Sequence, residues 1–74
     1  MAAMSELQAK TGLFIEYLRH ERGVTYTEMA KRTGMAIAPI GKHELSAKRC
    51  YKLCMAFREY VDDFDRYYGW RVAS

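Results

Sequence analysis

Residues 50–64 carry the feature that most narrows the fold. Cys50, Leu53, Cys54, Phe57, Val61 and Phe64 recur at i, i+3, i+4, i+7, i+11 and i+14. That spacing draws one continuous apolar stripe along a helix and cannot arise from the two-residue period of a strand. β-branched alternation is absent from the rest of the chain, where apolar residues again return at helical spacing. With 74 residues and no linker, repeat or low-complexity tract, the chain is read as one domain over 1–74. The expected class is all-α, with four to five helices.

Caps and glycines divide the pattern. A first helix is predicted from Ser5 or Thr11 to Arg22, with Ser5 and Gln8 as a capping box and Gly12 as a point of kinking or splitting. Ile15 and Leu18 share its buried face, and Gly23 ends it as a C′ glycine does. Thr25 and Glu28 form a stronger capping box, which predicts a second helix over Tyr26–Thr33 with Met29 and Ala30 inward and Gly34 as its stop. Met35 then packs in the turn. A third helix is expected over Ile37–Glu44. Ala36 gives it no side-chain cap, Pro39 is tolerated in the first turn, Ile40 is its core residue, and Gly41 weakens it by about 1 kcal/mol relative to Ala. Ser46 caps a fourth helix predicted from Ala47 to Val61, within a helix-rich part over 46–68. Asp63–Tyr68 are expected to add a last turn or a short fifth helix, and the tail over 69–74 is expected to be partly loose.

Size limits the chemistry. A domain this small buries only about 60–65% of its unfolded surface, which leaves little room for an enclosed catalytic pocket. No apolar run approaches the ~20 residues of a membrane span, and MAAMSELQAK has neither the basic nor the apolar region of a signal peptide. The expectation is a soluble, cytoplasmic protein. Cys50 and Cys54 lie four apart and read as small buried hydrophobes, without the cysteine count of a disulfide scaffold. Together with His20 and His43 they supply zinc-type ligands, but they lack the tighter cysteine spacing of a tetrahedral site. No catalytic residue, cofactor or metal ion is therefore predicted.

Charge is unevenly placed around a net +3. Residues 42–52, KHELSAKRCYK, set Lys42, Lys48, Arg49 and Lys52 against Glu44, whereas EYVDDFD at 59–65 holds four acids and no base. An electropositive segment of this kind suits a partner with a phosphate backbone.

The stretch LFIEYLRHERGVTYTEMAKRTGM, continued through Ile40 and Glu44, resembles the first three helices of the Cro/repressor-type (XRE, lambda-repressor-like) helix-turn-helix family. The match covers 13–44 without a gap. Ile15, Leu18, Gly23, Val24, Thr25, Glu28, Met29, Ala30, Gly34 and Met35 each fall where the family pattern places that residue type. The resemblance implies a helix-turn-helix at helices two and three. It also implies a partly buried ion pair of Arg19 with Glu44, tying helix three to helix one. After Glu44 the chain departs from the family, because LSAKRC is shorter than the loop that usually precedes helix four.

Carried over position by position, the resemblance implies base-facing roles for Ile37, Ala38, Gly41 and Lys42, of which only Lys42 can hydrogen-bond to a base edge. Thr25 and Tyr26 would meet phosphate at the start of helix two, and Lys42, His43, Lys48 and Arg49 would meet the flanking phosphates. The implied function is a small transcription regulator, homodimeric in many relatives, that binds double-stranded DNA mainly through phosphates with weak direct readout. The poor readout positions leave an alternative open: a phage-type regulator that binds host RNA polymerase or another transcription protein. For that role Asp62, Asp63, Tyr67, Tyr68 and Trp70 supply a candidate contact surface, since aromatics anchor protein interfaces.

Overall fold

The structure, a computed structural model, describes the backbone of residues 6–73 and the side chains of residues 6–68. Five α-helices and one 3-10 turn follow in order: α1 Glu6–Arg22, α2 Tyr26–Thr33, α3 Ile37–Gly41, α4 Ala47–Ala56, the turn Arg58–Tyr60, and α5 Val61–Ala73. No strand occurs among the described residues, and no helix among them is long and apolar enough to cross a membrane. The Cα radius of gyration is 11.9 Å, near the ~11 Å expected of a compact chain of this length.

The local signals account for most boundaries. Thr25 caps α2 by accepting from the Glu28 N–H at 3.1 Å, and Gly34 closes it at φ 71° with its own N–H on the Ala30 carbonyl. Only glycine adopts that left-handed conformation at no steric cost. Ser46 caps α4 by accepting from the Arg49 N–H. Gly12 does not split α1, which is helical throughout. A Cβ at residue 12 would lie 3.2 Å from His43 Nδ1, so its glycine admits a close approach by the chain after α3. The Ser5 half of the first capping box falls outside the described residues. Gln8 donates to the Leu45 carbonyl at 3.0 Å.

Two helices end earlier than the sequence suggested. α3 stops at Gly41, three residues short of Glu44. His43 sits at φ 58°, its N–H donates to the Ile40 carbonyl, and the Glu44 N–H donates to the Pro39 carbonyl. These two bonds make a Schellman motif with histidine in the position usually held by glycine. α4 stops at Ala56 because Phe57 leaves helical conformation at φ −120°, ψ 33°. The apolar stripe survives this break: Phe57 and Phe64 are buried on either side of the 3-10 turn. Arg32 of α2 holds the junction. Its guanidinium donates to the freed Ala56 carbonyl and to Glu59, and lies 4.2 Å from the Phe57 ring centre.

The core gathers Phe14, Ile15, Leu18, Met29, Ile40, Leu53 and Phe57, each at most 2% exposed. Burying a side chain of this size contributes about 1.5–3 kcal/mol. α5 joins this core through rings: Phe64 meets Phe14 edge-on at 5.1 Å and Tyr17 at 5.4 Å, and Tyr67 lies 5.5 Å from Tyr17. The backbone of α5 continues past Tyr68 to Ala73, through residues expected to be loose.

Candidate functional site

α3 presents one edge of the molecule. Ile37, Ala38, Gly41 and Lys42 are all exposed, and Ile37 keeps 47% of its surface in solvent. Ile40 alone of this helix is fully buried and pins it to the core. Two features flank the edge. On one side stands the start of α2, where Tyr26 covers Gly41: its ring lies 3.8 Å from where a Cβ on Gly41 would sit. On the other side, α4 and the α2–α3 turn enclose a groove of about 360 Å³ lined by Ala36, Pro39, Leu45, Lys48, Arg49 and Lys52. Lys52 lies one turn on from both Lys48 (i+4) and Arg49 (i+3), which gathers the three cations on one side of α4. None of these three, nor Lys42, forms an ion pair among the described residues.

Thus the structure brings Tyr26 against Gly41 and places Lys48 and Arg49 beside the start of α3. Thr25 remains exposed as the cap of α2. Lys52 completes the basic cluster. It was legible only as part of the charged run, and it falls on the same side as Lys48 because α4 starts at Ala47.

The expected Arg19–Glu44 pair is not formed among the described residues. Arg19 instead lies 4.3 Å over the Tyr26 ring and donates to its hydroxyl at 3.1 Å. The early end of α3 turns Glu44 out to solvent. A guanidinium stacked on an aromatic face replaces the carboxylate as the tie between α1 and the α2–α3 unit. Tyr26 is accordingly half-buried, with its hydroxyl already engaged. Nothing local marks this exchange, because Tyr26 reads equally well as a polar group at the start of a helix.

The acidic and aromatic end is largely drawn into the fold. Asp63 pairs with Arg22 at 2.8 Å and Asp65 with Lys10 at 2.9 Å. Tyr67 and Tyr68 pack half-buried against the core. Asp62 stays exposed, and the Trp70 side chain lies outside the described residues. The Arg22 guanidinium is held above its ordinary pKa, first by its hydrogen bond to the Tyr17 hydroxyl and further by Asp63.

The histidines and cysteines occupy separate places. His20 Nε2 lies 2.9 Å from Glu16 Oε2, and His43 Nε2 lies 3.2 Å from Glu16 Oε1. The second contact is close enough for an ion pair with protonated His43 but lacks the alignment of a hydrogen bond. Cys50 is buried and Cys54 half-buried, both as free thiols. Burial, followed by the neighbouring Cys50, pushes the Cys54 thiol pKa up. Among the described residues no group of three or more His, Cys, Asp or Glu side chains is placed to hold a metal ion.

No family model, curated protein or solved structure matches this chain. The functional reading accordingly rests on its own residues.

Proposed function

We propose that the protein is a small DNA-binding transcription regulator in which α2 and α3 act as a helix-turn-helix of the Cro/repressor type. The observation that carries this reading is the exposed outer edge of α3 beside Lys48, Arg49 and Lys52, cations with no ion pair among the described residues. An exposed helix edge is the kind of element that enters a major groove, and neighbouring cations are the kind of group that meets flanking phosphates. Lys42 is the single strong hydrogen-bond donor to a base edge. Ile37 and Ala38 offer only apolar contact to a thymine methyl. Binding of this kind is dominated by counterion release, with sequence preference coming mainly from duplex shape. The working place is then the cytoplasm, beside the nucleoid, and the protein performs no reaction.

The test is a titration of isotope-labelled protein with a short mixed-sequence duplex at low and then moderate salt. Shifts at Thr25, Lys42, Lys48 and Arg49 that shrink as salt rises support the reading. An unchanged spectrum at low salt overturns it. The poverty of donors on α3 favours one other reading, a regulator that binds host RNA polymerase through protein contacts; retention of the polymerase by the immobilised protein, with no duplex response, would select it.

A further inference from the structure

We propose that the outer face of α4 docks into the groove between α1 and α5 of a second copy of this chain. Lys48, Tyr51, Lys52 and Met55 follow i, i+3, i+4 and i+7, so they form one ridge on the side of α4 opposite the buried Cys50 and Leu53. Tyr51 is 63% exposed and Met55 64%, the two most exposed large apolar side chains among the described residues. Two such side chains, one turn apart and flanked by lysines, form a contact face without a cover.

The same chain carries a cavity of matching character. α1 and α5 enclose a groove of about 510 Å³, lined by Leu13, Tyr17, Tyr67 and Tyr68 with Glu16, His20 and Glu21 as its polar residues. Leu13 is 48% exposed there. Glu16 is already shared by His20 and His43. Glu21 is exposed and forms no ion pair among the described residues, so it is the acid available to an incoming lysine. An apolar ridge with a cationic border thus meets an apolar groove with an anionic border. The partner is a second copy because both halves reside on one chain, with opposite charge and like polarity.

The two surfaces differ, so the contact is heterologous. Each docked copy still presents a free ridge at one end and a free groove at the other, which builds an open row, or a ring of more than two copies where the rotation closes. Lys48 and Lys52 also line the basic groove beside α3, so the measurement is made without nucleic acid and stands apart from the DNA-binding reading.

Sedimentation velocity over rising concentration, at low and moderate salt, tests the contact. Wild-type protein is expected to pass beyond twice its 8.6 kDa monomer mass at the highest concentrations, and to retreat as salt rises. Met55→Glu breaks the ridge and Leu13→Lys breaks the groove. Both sites are exposed, and far-UV circular dichroism checks that each variant folds. Each variant alone should associate at least tenfold more weakly. Mixed one to one they should form a dimer that stops there, since the first retains an intact groove and the second an intact ridge. A monomer at every concentration overturns the proposal. So does a wild-type assembly that levels at two copies, or a mixture no better associated than its components.

Discussion

At the scale of single residues, His43 shows how one side chain can be fixed by the backbone on one side and by packing on the other. Its left-handed φ of 58° costs a β-carbon-bearing residue about 1–2 kcal/mol. The compensation is that α3 is closed by two backbone bonds and the ring rests on Gly12. Replacing Gly12 by Ala in a helix interior would ordinarily stabilise by about 1 kcal/mol. Here the new Cβ meets His43 Nδ1 at 3.2 Å, so urea unfolding of Gly12→Ala should show much less than that gain. In a His43→Gly background the obstruction is gone and the full increment should return. Equal effects of Gly12→Ala in both backgrounds would mean the two residues do not meet. Cys54 offers a second check. Its thiol pKa is raised by burial, so a thiol reagent should modify it more slowly than a free cysteine, and the rate should rise only as pH passes the ordinary thiol value of 9.0.

At the scale of elements, the sequence was most legible where the signal is local. Thr25, Gly34 and Ser46 each act within three or four residues, and α2 spans Tyr26–Thr33 as its caps predict. The ends of α3 and α4 were not legible. A histidine carries no obvious mark of a left-handed stop, and the break at Phe57 is held by Arg32, which lies 24 residues from Ala56 and 27 from Glu59. Lys48 and Arg49 could be read from the charged run and Lys52 joins them on the formed α4, whereas the stacking of Arg19 on Tyr26 needed the packed fold. Removing the Arg32 clasp should loosen the α4–α5 junction. Arg32→Ala is expected to destabilise by about 1–2 kcal/mol through the lost carbonyl bond and ring contact, with Arg32→Lys recovering only part because it lacks the planar fork. The same junction is acid-sensitive. The Glu59 carboxyl is held below its ordinary value of 4.5, first by a backbone N–H and then by Arg32. A folded-state pKa below the unfolded one gives stability that is complete above the unfolded value and fades as pH falls through the folded value. The melting temperature of wild type should therefore fall below about pH 4.5, and Glu59→Gln should flatten that acid limb while leaving the neutral region little changed in slope.

At the scale of the whole molecule, the charge layout separates two kinds of cation. Lys10, Arg22 and Arg32 are bound to acids of the C-terminal third, while Lys42, Lys48, Arg49 and Lys52 form no ion pair among the described residues. On the proposed reading, Lys48→Ala and Arg49→Ala should weaken duplex binding to a similar degree on every sequence. Each should lower the slope of log affinity against log salt by about 0.9, one phosphate contact apiece. Ile37→Ala should change which sequence is preferred rather than the salt slope. Anisotropy titrations at several salt concentrations check both, and unchanged slopes for the cation variants would count against the docking.

If α3 enters a major groove as proposed, its early stop limits how much text one copy can read. Five residues at 1.5 Å each make a helix about 7.5 Å long, little more than two base-pair steps of about 3.4 Å. A word of two or three letters recurs by chance about once in every 16 to 64 positions, given four distinguishable base pairs in the major groove. On the proposed DNA-binding reading, a single molecule is therefore nearly blind to address, and any genomic specificity must come from the spacing of several copies or from the bendability of the duplex between them.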